Sequence, residues 1–143
     1  PQYADANSTL RVSYGKVGGF EPGDGIWYRH MSCTDGILQK YKPGDFEFDL
    51  TDDWRSVLES AVTAVPVDFL SDNDITGGNS GSPVLNSRYE LIGLAFDGNK
   101  ESLCGDFEYI HDCNRTISVD IRYVLWVLRN YAHLDNILEE IGK

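Results

Sequence analysis

A serine between glycines carries the clearest chemical signal in the sequence. Ser80 lies in the run G-N-S-G-S-P over residues 78–83 and follows a further glycine, Gly77. An attacking serine hydroxyl needs a tight turn that exposes it and aims backbone N–H groups at the forming oxyanion. Glycines permit the backbone angles of such a turn. We therefore predict that Ser80 is a nucleophile and that the N–H groups of Gly78 and Ser80 form an oxyanion hole.

An ordinary glycine- and serine-rich hairpin loop is the simpler explanation of this run. The three-residue pattern G-x-S alone would not distinguish a nucleophile from such a loop. The whole run, however, is similar to the pattern G-[DN]-S-G-[GS]-P of chymotrypsin-type peptidases, and Pro83 leads into an apolar strand. The nucleophile elbow G-x-S-x-G of α/β-hydrolases is excluded because Ser82 stands where that motif needs glycine. Many zymogen-activated members have Asp at the position of Asn79, and its carboxylate pairs with a newly cut N-terminal amine. Neutral Asn79 cannot make that ion pair, so activation by such a cleavage is not expected.

The partners of a catalytic serine are a histidine base and an orienting carboxylate. In chymotrypsin-like enzymes both precede the serine on an earlier barrel. The histidines here are His30, His111 and His133, and the 29 residues before His30 are too few for that barrel. The other two follow Ser80. We expect the chain to hold the serine-bearing half of a longer protein and to be nearly inactive by itself, an expectation that fits its start at Pro1 without a signal peptide.

Short strands and turns are predicted to position the serine loop. Apolar and polar residues alternate over residues 10–14, which predicts a strand with one buried face. Further strands are expected at residues 26–32, 46–50 and 65–70, and a hairpin at 83–96. Thr51 and the acids after it predict a helix to about Ala61. Residues 71–82 and 97–114 are expected to be loops.

The tail has a different pattern. From Val119, apolar residues recur at helical spacing over positions 121–128, and Asp120 is expected in the first turn. A second short helix is expected over residues 134–141. The chain is therefore predicted to consist of many short strands followed by an amphipathic C-terminal helix.

Composition narrows the function classes. The chain has 143 residues and a formal net charge of −11, so it lacks the positive field that a nucleic-acid-binding protein needs. No apolar run reaches the roughly 18 residues of a membrane-spanning helix. No metal site and no cofactor is predicted. Cys104 and Cys113 flank a polar loop; a bridge between them and three reduced thiols, with Cys33, both remain open.

Four runs of sequence resemble the C-terminal part of the bacterial serine dipeptidyl-peptidases typified by dipeptidyl-peptidases 7 and 11. They are D-A-N-S-T-L-R-V-S-Y-G at residues 5–15, N-D-I-T-G-G-N-S-G-S-P at 73–83, L-I-G-L-A-F-D-G-N at 91–99 and R-T-I-S-V-D-I-R-Y-V-L at 115–125. The last run is the most specific, since general trypsin-like enzymes lack it. The resemblance implies a mainly β fold: residues 1–118 as the second six-stranded barrel of a chymotrypsin-like double barrel, with a helical tail at 119–143.

The resemblance also implies roles for residues after the apolar strand. In the family, the residue at Gly98 lies in the specificity pocket, where an arginine selects acidic residues. Gly98 thus implies an open, uncharged pocket that prefers aliphatic or aromatic residues at the penultimate position, the second residue of the substrate. Asp97 is expected to hold the substrate's α-ammonium group, and Asn99 to make a nearby polar contact. A plain turn glycine and a solvated aspartate are the alternatives.

The function implied is that of an exported, periplasmic or secreted serine exopeptidase that removes dipeptides from free N-termini. Its partners would be peptide substrates and the rest of its own full-length chain, a first barrel and a helical domain, with a homodimer left open. A glutamyl-endopeptidase-like enzyme shares G-N-S-G-S-P, but the run after residue 119 argues against it. A non-catalytic trypsin-like binding module is the third hypothesis, against which the intact Ser80 speaks.

Overall fold

The structure is a computed structural model, and it describes residues 10–103, 105 and 108–142. Within that part the elements are, in chain order, β1 Phe20–Gly23, β2 Ile26–Tyr28, β3 Met31–Cys33, α1 Thr34–Lys40, α2 Asp52–Ser60, β4 Pro66–Ser71, β5 Pro83–Leu85, β6 Leu91–Gly98, β7 Thr116–Asp120, α3 Ile121–Asn130 and α4 Asp135–Glu140. A short 3-10 helix, Lys100–Ser102, follows β6. None of the described helices is both long enough and apolar enough to cross a bilayer.

An antiparallel five-stranded sheet forms the centre, in the order β3-β4-β7-β6-β5, and β1 and β2 form a separate hairpin. The predicted mainly β character is confirmed by these sheets. A closed six-stranded barrel, however, is not seen among the described residues, because β3 and β5 remain at the two edges of the sheet.

Residues 10–14, predicted as a strand, are not one in the structure. The apolar side chains of this alternating segment are almost fully exposed: Leu10 at 95%, Val12 at 83% and Tyr14 at 91%. The chain first meets the sheet at an isolated bridge between Val17 and Ser71. The prediction fails because alternation indicates a face suited to burial but supplies no strand edge to pair with.

Three further details of secondary structure differ from expectation. Residues 46–50 are not a strand: 46–48 form a turn, since Asp45 Oδ1 accepts the backbone N–H groups of Glu47 and Phe48 at 3.0 and 3.2 Å, and 49–50 have no regular structure. Such carboxylate-centred turns compete with strand pairing. The expected strand over 26–32 is split into β2 and β3, which belong to different sheets. Helix α1 was not predicted, because seven residues carry too little periodicity to indicate a helix.

Of the remaining elements, β4, the β5–β6 hairpin, α2, α3 and α4 were predicted correctly in type, whereas β1 and β7 were not predicted. Helix α2 has Thr51 as its N-cap, β5 and β6 form the expected hairpin, and α3 and α4 lie in the tail. Strand β7 continues to Asp120, so α3 begins two residues later than expected and Asp120 is its N-cap rather than part of its first turn. A boundary between residues 118 and 119 falls inside β7; the division into two domains stays a prediction.

The start of α3 is fixed by a buried carboxylate. Asp120 is 4% exposed and accepts the Arg122 backbone N–H at 2.8 Å, which satisfies a free donor of the first helical turn. It also binds the Arg122 guanidinium through two bonds of 2.9 and 2.7 Å. This pairing raises the pKa of Arg122 above its usual value. Helix α3 is thereby joined to the central strand of the sheet.

Gly93 allows β6 to pack closely against the core. A methyl group at this position would lie 2.6 Å from the Val119 carbonyl oxygen and 2.7 Å from the buried Phe69 ring. Neither group can move without disturbing the strand pairs around it. The close approach of β6, β7 and Phe69 therefore depends on a glycine here.

We predict that Gly93→Ala lowers the free energy of unfolding by about 1–3 kcal/mol through overpacking. The matched control is Gly36→Ala in α1, where an added methyl group meets no atom of the described residues within 4 Å. There the change should raise the free energy of unfolding by about 0.5–1 kcal/mol, since alanine favours a helix. Chemical denaturation measures both, and equal losses would contradict this account of Gly93.

Candidate active site

Ser80 lies in the loop that joins β4 to β5, and its side chain faces solvent. Its hydroxyl donates a hydrogen bond of 3.2 Å to the carbonyl oxygen of Phe96 on β6. That bond is long, so it orients the hydroxyl group without burying it. Exposure is what a nucleophile at the tip of a turn requires.

Backbone hydrogen bonds attach the serine loop to β6. The Gly81 N–H donates to the Ala95 carbonyl at 2.7 Å, and the Ala95 N–H donates to the Ser82 carbonyl at 2.8 Å. These two bonds extend the β5–β6 ladder to the two residues that precede β5. The loop therefore holds Ser80 in a fixed position relative to the strand.

Asn79 closes the turn from within. Its side-chain oxygen accepts the Thr76 backbone N–H at 2.7 Å and the Thr76 hydroxyl at 3.3 Å. In the other direction the Asn79 N–H donates to the Thr76 carbonyl at 3.1 Å, and the Ser82 N–H donates to the Asn79 carbonyl at 2.9 Å. Asn79 thus has a structural role, in addition to lacking the charge that zymogen activation would use.

Two glycines of the turn adopt angles that other residues rarely adopt: φ is +92° at Gly78 and +85° at Gly81. The N–H groups of Gly78 and Ser80 donate no hydrogen bond to any atom in the described part of the chain. Unpaired backbone donors beside an exposed serine are the material of an oxyanion hole. The predicted role of Gly78 is compatible with this geometry and stays a prediction.

A β-bulge lies opposite the serine. On β6, Ala95 pairs with Ser118 and Asp97 pairs with Ile117, so Phe96 is the extra residue between them. A bulge bends the strand and turns its side chains, and bulges are common beside active sites. Here it leaves the Phe96 ring 61% exposed while its carbonyl oxygen accepts the serine hydroxyl.

Next to Ser80 lies a cavity of about 260 Å³. Its wall has three parts: the serine loop, the end of β6, and the segment that leads into β7. The lining residues are Asn73, Asp74, Ile75, Thr76, Gly77, Ser80, Phe96, Asp97, Gly98, Asn99, Ser102, Leu103, Gly105, Tyr109, Asn114, Arg115 and Thr116. The volume is at the small end of the range of ligand pockets, and suits one side chain.

The structure brings Ser80, Asp97, Gly98 and Asn99 to this cavity, whereas Gly78 is outside the lining. Asp97 is exposed, and its carboxylate accepts the Gly98 N–H at 2.8 Å. A methyl group on Gly98 would lie 2.5 Å from the Ser102 hydroxyl oxygen, so any side chain there requires Ser102 to move. Their predicted roles in substrate binding stay predictions.

Asn99 has a structural role in the wall. It is 8% exposed, and its amide nitrogen donates to Glu101 at 2.9 Å and to the Cys113 carbonyl at 2.8 Å. Its side-chain oxygen accepts the Arg115 N–H at 2.8 Å. These bonds leave neither amide hydrogen for a ligand. The predicted contact of Asn99 with substrate stays a prediction, and its observed role is to join residues 99–101 to residues 113–115.

Arg115 is a wall residue that the sequence argument did not identify. Its guanidinium donates three hydrogen bonds to carbonyl oxygens: His111 at 2.9 Å, Asn114 at 2.7 Å and Gly19 at 3.0 Å. It also lies over the Phe20 ring, 5.4 Å from its centroid. The pocket, expected to contain no cation, therefore has one in its wall, directed at the backbone. No local sequence signal indicates this, because Gly19 is far away in the chain.

The histidines do not pair with the serine. His111 Nε2 is 3.9 Å from an Asp72 carboxylate oxygen, and His133 lies in the connection between α3 and α4 with φ of +51°. Neither these two nor His30 hydrogen-bonds Ser80 in the described part of the chain. Of the cysteines, Cys33 and Cys113 are free thiols, and the alternative bridge involves Cys104, which lies outside the described residues.

Comparison with known proteins gives the family. The Peptidase S46 family model matches residues 1–143. The dipeptidyl-peptidase 7 of Porphyromonas endodontalis is 46% identical over 146 residues, covering 97% of this chain and 18% of that protein. The Asp/Glu-specific dipeptidyl-peptidase of Porphyromonas gingivalis is 41% identical over 149 residues, covering 99% of this chain and 21% of that protein.

Solved structures of Porphyromonas endodontalis DPP11 have a part with the same fold as this chain. Porphyromonas endodontalis DPP11 in complex with substrate superposes with a TM-score of 0.89 at 37% identity, over 96% of this chain and 21% of that one. Its complex with the dipeptide Arg-Glu gives a TM-score of 0.88 at 37% identity, over 94% of this chain and 20% of that one. The chain thus spans about a fifth of the length of the relatives it matches. By sequence over its whole length and by fold, this chain belongs to the Peptidase S46 family.

Proposed function

We propose that this chain is the serine-bearing part of a peptidase that releases dipeptides from free N-termini, with Ser80 as its nucleophile. The observation that carries the proposal is an exposed serine in a turn with two unpaired N–H groups, beside a cavity for one side chain, in a Peptidase S46 chain. The dipeptidyl-peptidase names of the relatives support the reaction. The base and its carboxylate would come from elsewhere in a longer polypeptide.

In the proposed reaction Ser80 Oγ attacks the carbonyl carbon of the second residue of the substrate, and its proton passes to the base. The N–H groups of Gly78 and Ser80 hold the oxyanion; one such donor is worth about 3–4 kcal/mol of transition-state stabilisation. The proton then goes to the leaving amine, and an acyl-enzyme forms. Water attacks the acyl carbon in the second half of the reaction and releases the dipeptide from Ser80.

We assign the cavity beside Ser80 to the side chain of the second residue. Gly98 leaves its mouth open, and the exposed Phe96 ring offers apolar contact, which favours aliphatic or aromatic side chains. Exposed Asp97 at the rim is suited to the α-ammonium group of a substrate. In the full-length protein, which we propose to be exported, residues 10–14 would pair with a sheet edge and complete the six-stranded barrel.

Ser80→Ala in the full-length protein should abolish labelling by a fluorophosphonate probe and lower kcat on dipeptidyl substrates by about 10⁶-fold. The matched control is Ser82→Ala, two residues away in the same turn, which should keep both. Labelling is measured by mass spectrometry of the modified peptide. Probe attached to any residue other than Ser80 would refute the assignment of the nucleophile.

Asn79→Leu should lower the free energy of unfolding by about 1–3 kcal/mol, because the Thr76 N–H loses its acceptor. Fluorophosphonate labelling of Ser80 should also slow, since the turn loses its internal brace. Asn79→Asp keeps an acceptor oxygen in place and should preserve the labelling rate. If Asn79→Leu labels as fast as wild type, Asn79 does not shape the turn.

Gly98→Arg should move the preference of the enzyme toward acidic second residues, but only where Ser102 gives way. We expect the double variant Gly98→Arg/Ser102→Ala to raise the ratio of kcat/KM for Glu over Leu substrates by about tenfold or more, through a charge-assisted pair. Ser102→Ala alone serves as the control and should leave that ratio unchanged. An unchanged ratio in the double variant would contradict the assignment of Gly98 to the specificity pocket.

A further inference from the structure

One residue of the cavity lining, Asp74, has a carboxylate without a partner in the described part of the chain. Asp74 lines the cavity and is only partly exposed. Its backbone oxygen accepts the Ser13 hydroxyl at 2.7 Å, but its carboxylate has no hydrogen bond or ion pair with any residue in the described part of the chain. A partly buried carboxylate left unpaired is costly unless solvent or a ligand satisfies it.

The backbone around Asp74 is held firmly. The Tyr109 hydroxyl donates to the Asp72 carbonyl at 2.5 Å, and the Thr116 hydroxyl donates to the Asn73 carbonyl at 2.7 Å. On the other side, Thr76 is bound to Asn79. Asp74 is thus carried on a segment fixed at both ends, between the sheet and the nucleophile. A carboxylate on a fixed backbone can discriminate between ligands, because little of its position adjusts to them.

The other charged groups of the wall are directed elsewhere. Arg115 donates three bonds to backbone carbonyls, and its Nε atom, which has no hydrogen-bond partner in the described part of the chain, is buried out of reach of solvent. It therefore has little to offer a carboxylate that enters the cavity. Asp97 is exposed and accepts the Gly98 N–H. Asp74 is the lining carboxylate whose oxygens are without protein donors in the part of the chain that the structure describes.

We infer that Asp74 is a specificity-determining residue of this cavity. It disfavours acidic side chains at the second residue of the substrate, and to the apolar preference assigned above it adds acceptance of side chains that end in a hydrogen-bond donor or a cation. The inference rests on the proposed function and deepens it, since it names a second determinant beside Gly98. An entering carboxylate would meet a like charge in a partly desolvated space, whereas an amide or ammonium group would find an acceptor.

The test compares dipeptidyl substrates that differ only at the second residue, with Glu against its neutral isostere Gln, and Lys against norleucine. In the full-length protein, Asp74→Asn removes the charge at nearly constant shape. We expect it to raise the Glu/Gln ratio of kcat/KM by about tenfold, because the Glu carboxylate of the substrate then no longer meets a like charge. The Lys/norleucine ratio should fall by a similar factor.

The matched control is Asp112→Asn, which removes the same charge from an exposed position of the neighbouring loop outside the cavity lining. It should leave both ratios within twofold of wild type. Asp74→Ala provides a second variant that should shift both ratios in the same direction. Fluorophosphonate labelling of Ser80 confirms that each variant has a folded site.

The outcomes separate this inference from the proposal it rests on. An active enzyme whose ratios are the same in wild type, Asp74→Asn and Asp74→Ala refutes the role of Asp74 and leaves the proposed function intact. Equal shifts in Asp74→Asn and Asp112→Asn would also refute it, since they would reflect net charge alone. A wild-type protein that labels at Ser80 but releases no dipeptide from any substrate refutes the proposed function, and this inference with it.

Discussion

Two backbone hydrogen bonds between the serine loop and β6 hold the candidate site together. Through Gly81, Ser82 and Ala95 the loop continues the pairing of the β5–β6 hairpin. Because the next residue of β6 is the bulged Phe96, the same strand also supplies the carbonyl group that orients the Ser80 hydroxyl. Breaking the ladder at this point would release both Ser80 and the near wall of the cavity, which is why the site is best regarded as an extension of the sheet.

The far wall is held by polar groups rather than by apolar packing. Asn99 and Arg115 take backbone partners from segments that are distant in sequence, and both are largely buried or half-buried. A buried polar network is stable only when its members are satisfied, and it then fixes one geometry. This arrangement explains how a cavity so near solvent can have a defined shape. Two atoms or groups of the wall lack a partner in the described part of the chain, the buried Nε atom of Arg115 and the carboxylate of Asp74.

The parts that the sequence predicted are those determined by local interactions. The turn around Ser80, the N-cap at Thr51 and the β5–β6 hairpin are each set by residues close together in the chain. The parts it missed depend on distant partners or on none: Arg115 bonds to Gly19, 96 residues away, and residues 10–14 have a strand pattern but pair with neither edge strand of the sheet, β3 or β5. Asp74 was not identified because an aspartate in a polar loop carries no signal until the cavity wall is known.

Local and distant interactions also differ in what they contribute to the proposed chemistry: the turn of Ser80 forms locally, and the base must come from a distance. The hydrogen bonds of the turn around Ser80 join residues at most 16 positions apart, so the turn and its two unpaired N–H groups can form from this segment with little loop-closure cost. No histidine in the described part of the chain takes up the position of a base. An oxyanion site formed locally and a base supplied from a distance would make catalysis depend on the docking of the two. In that assembled state the apolar side chains of residues 10–14, which are almost fully exposed in the structure, would be buried as the segment pairs with a sheet edge, and this burial would favour assembly.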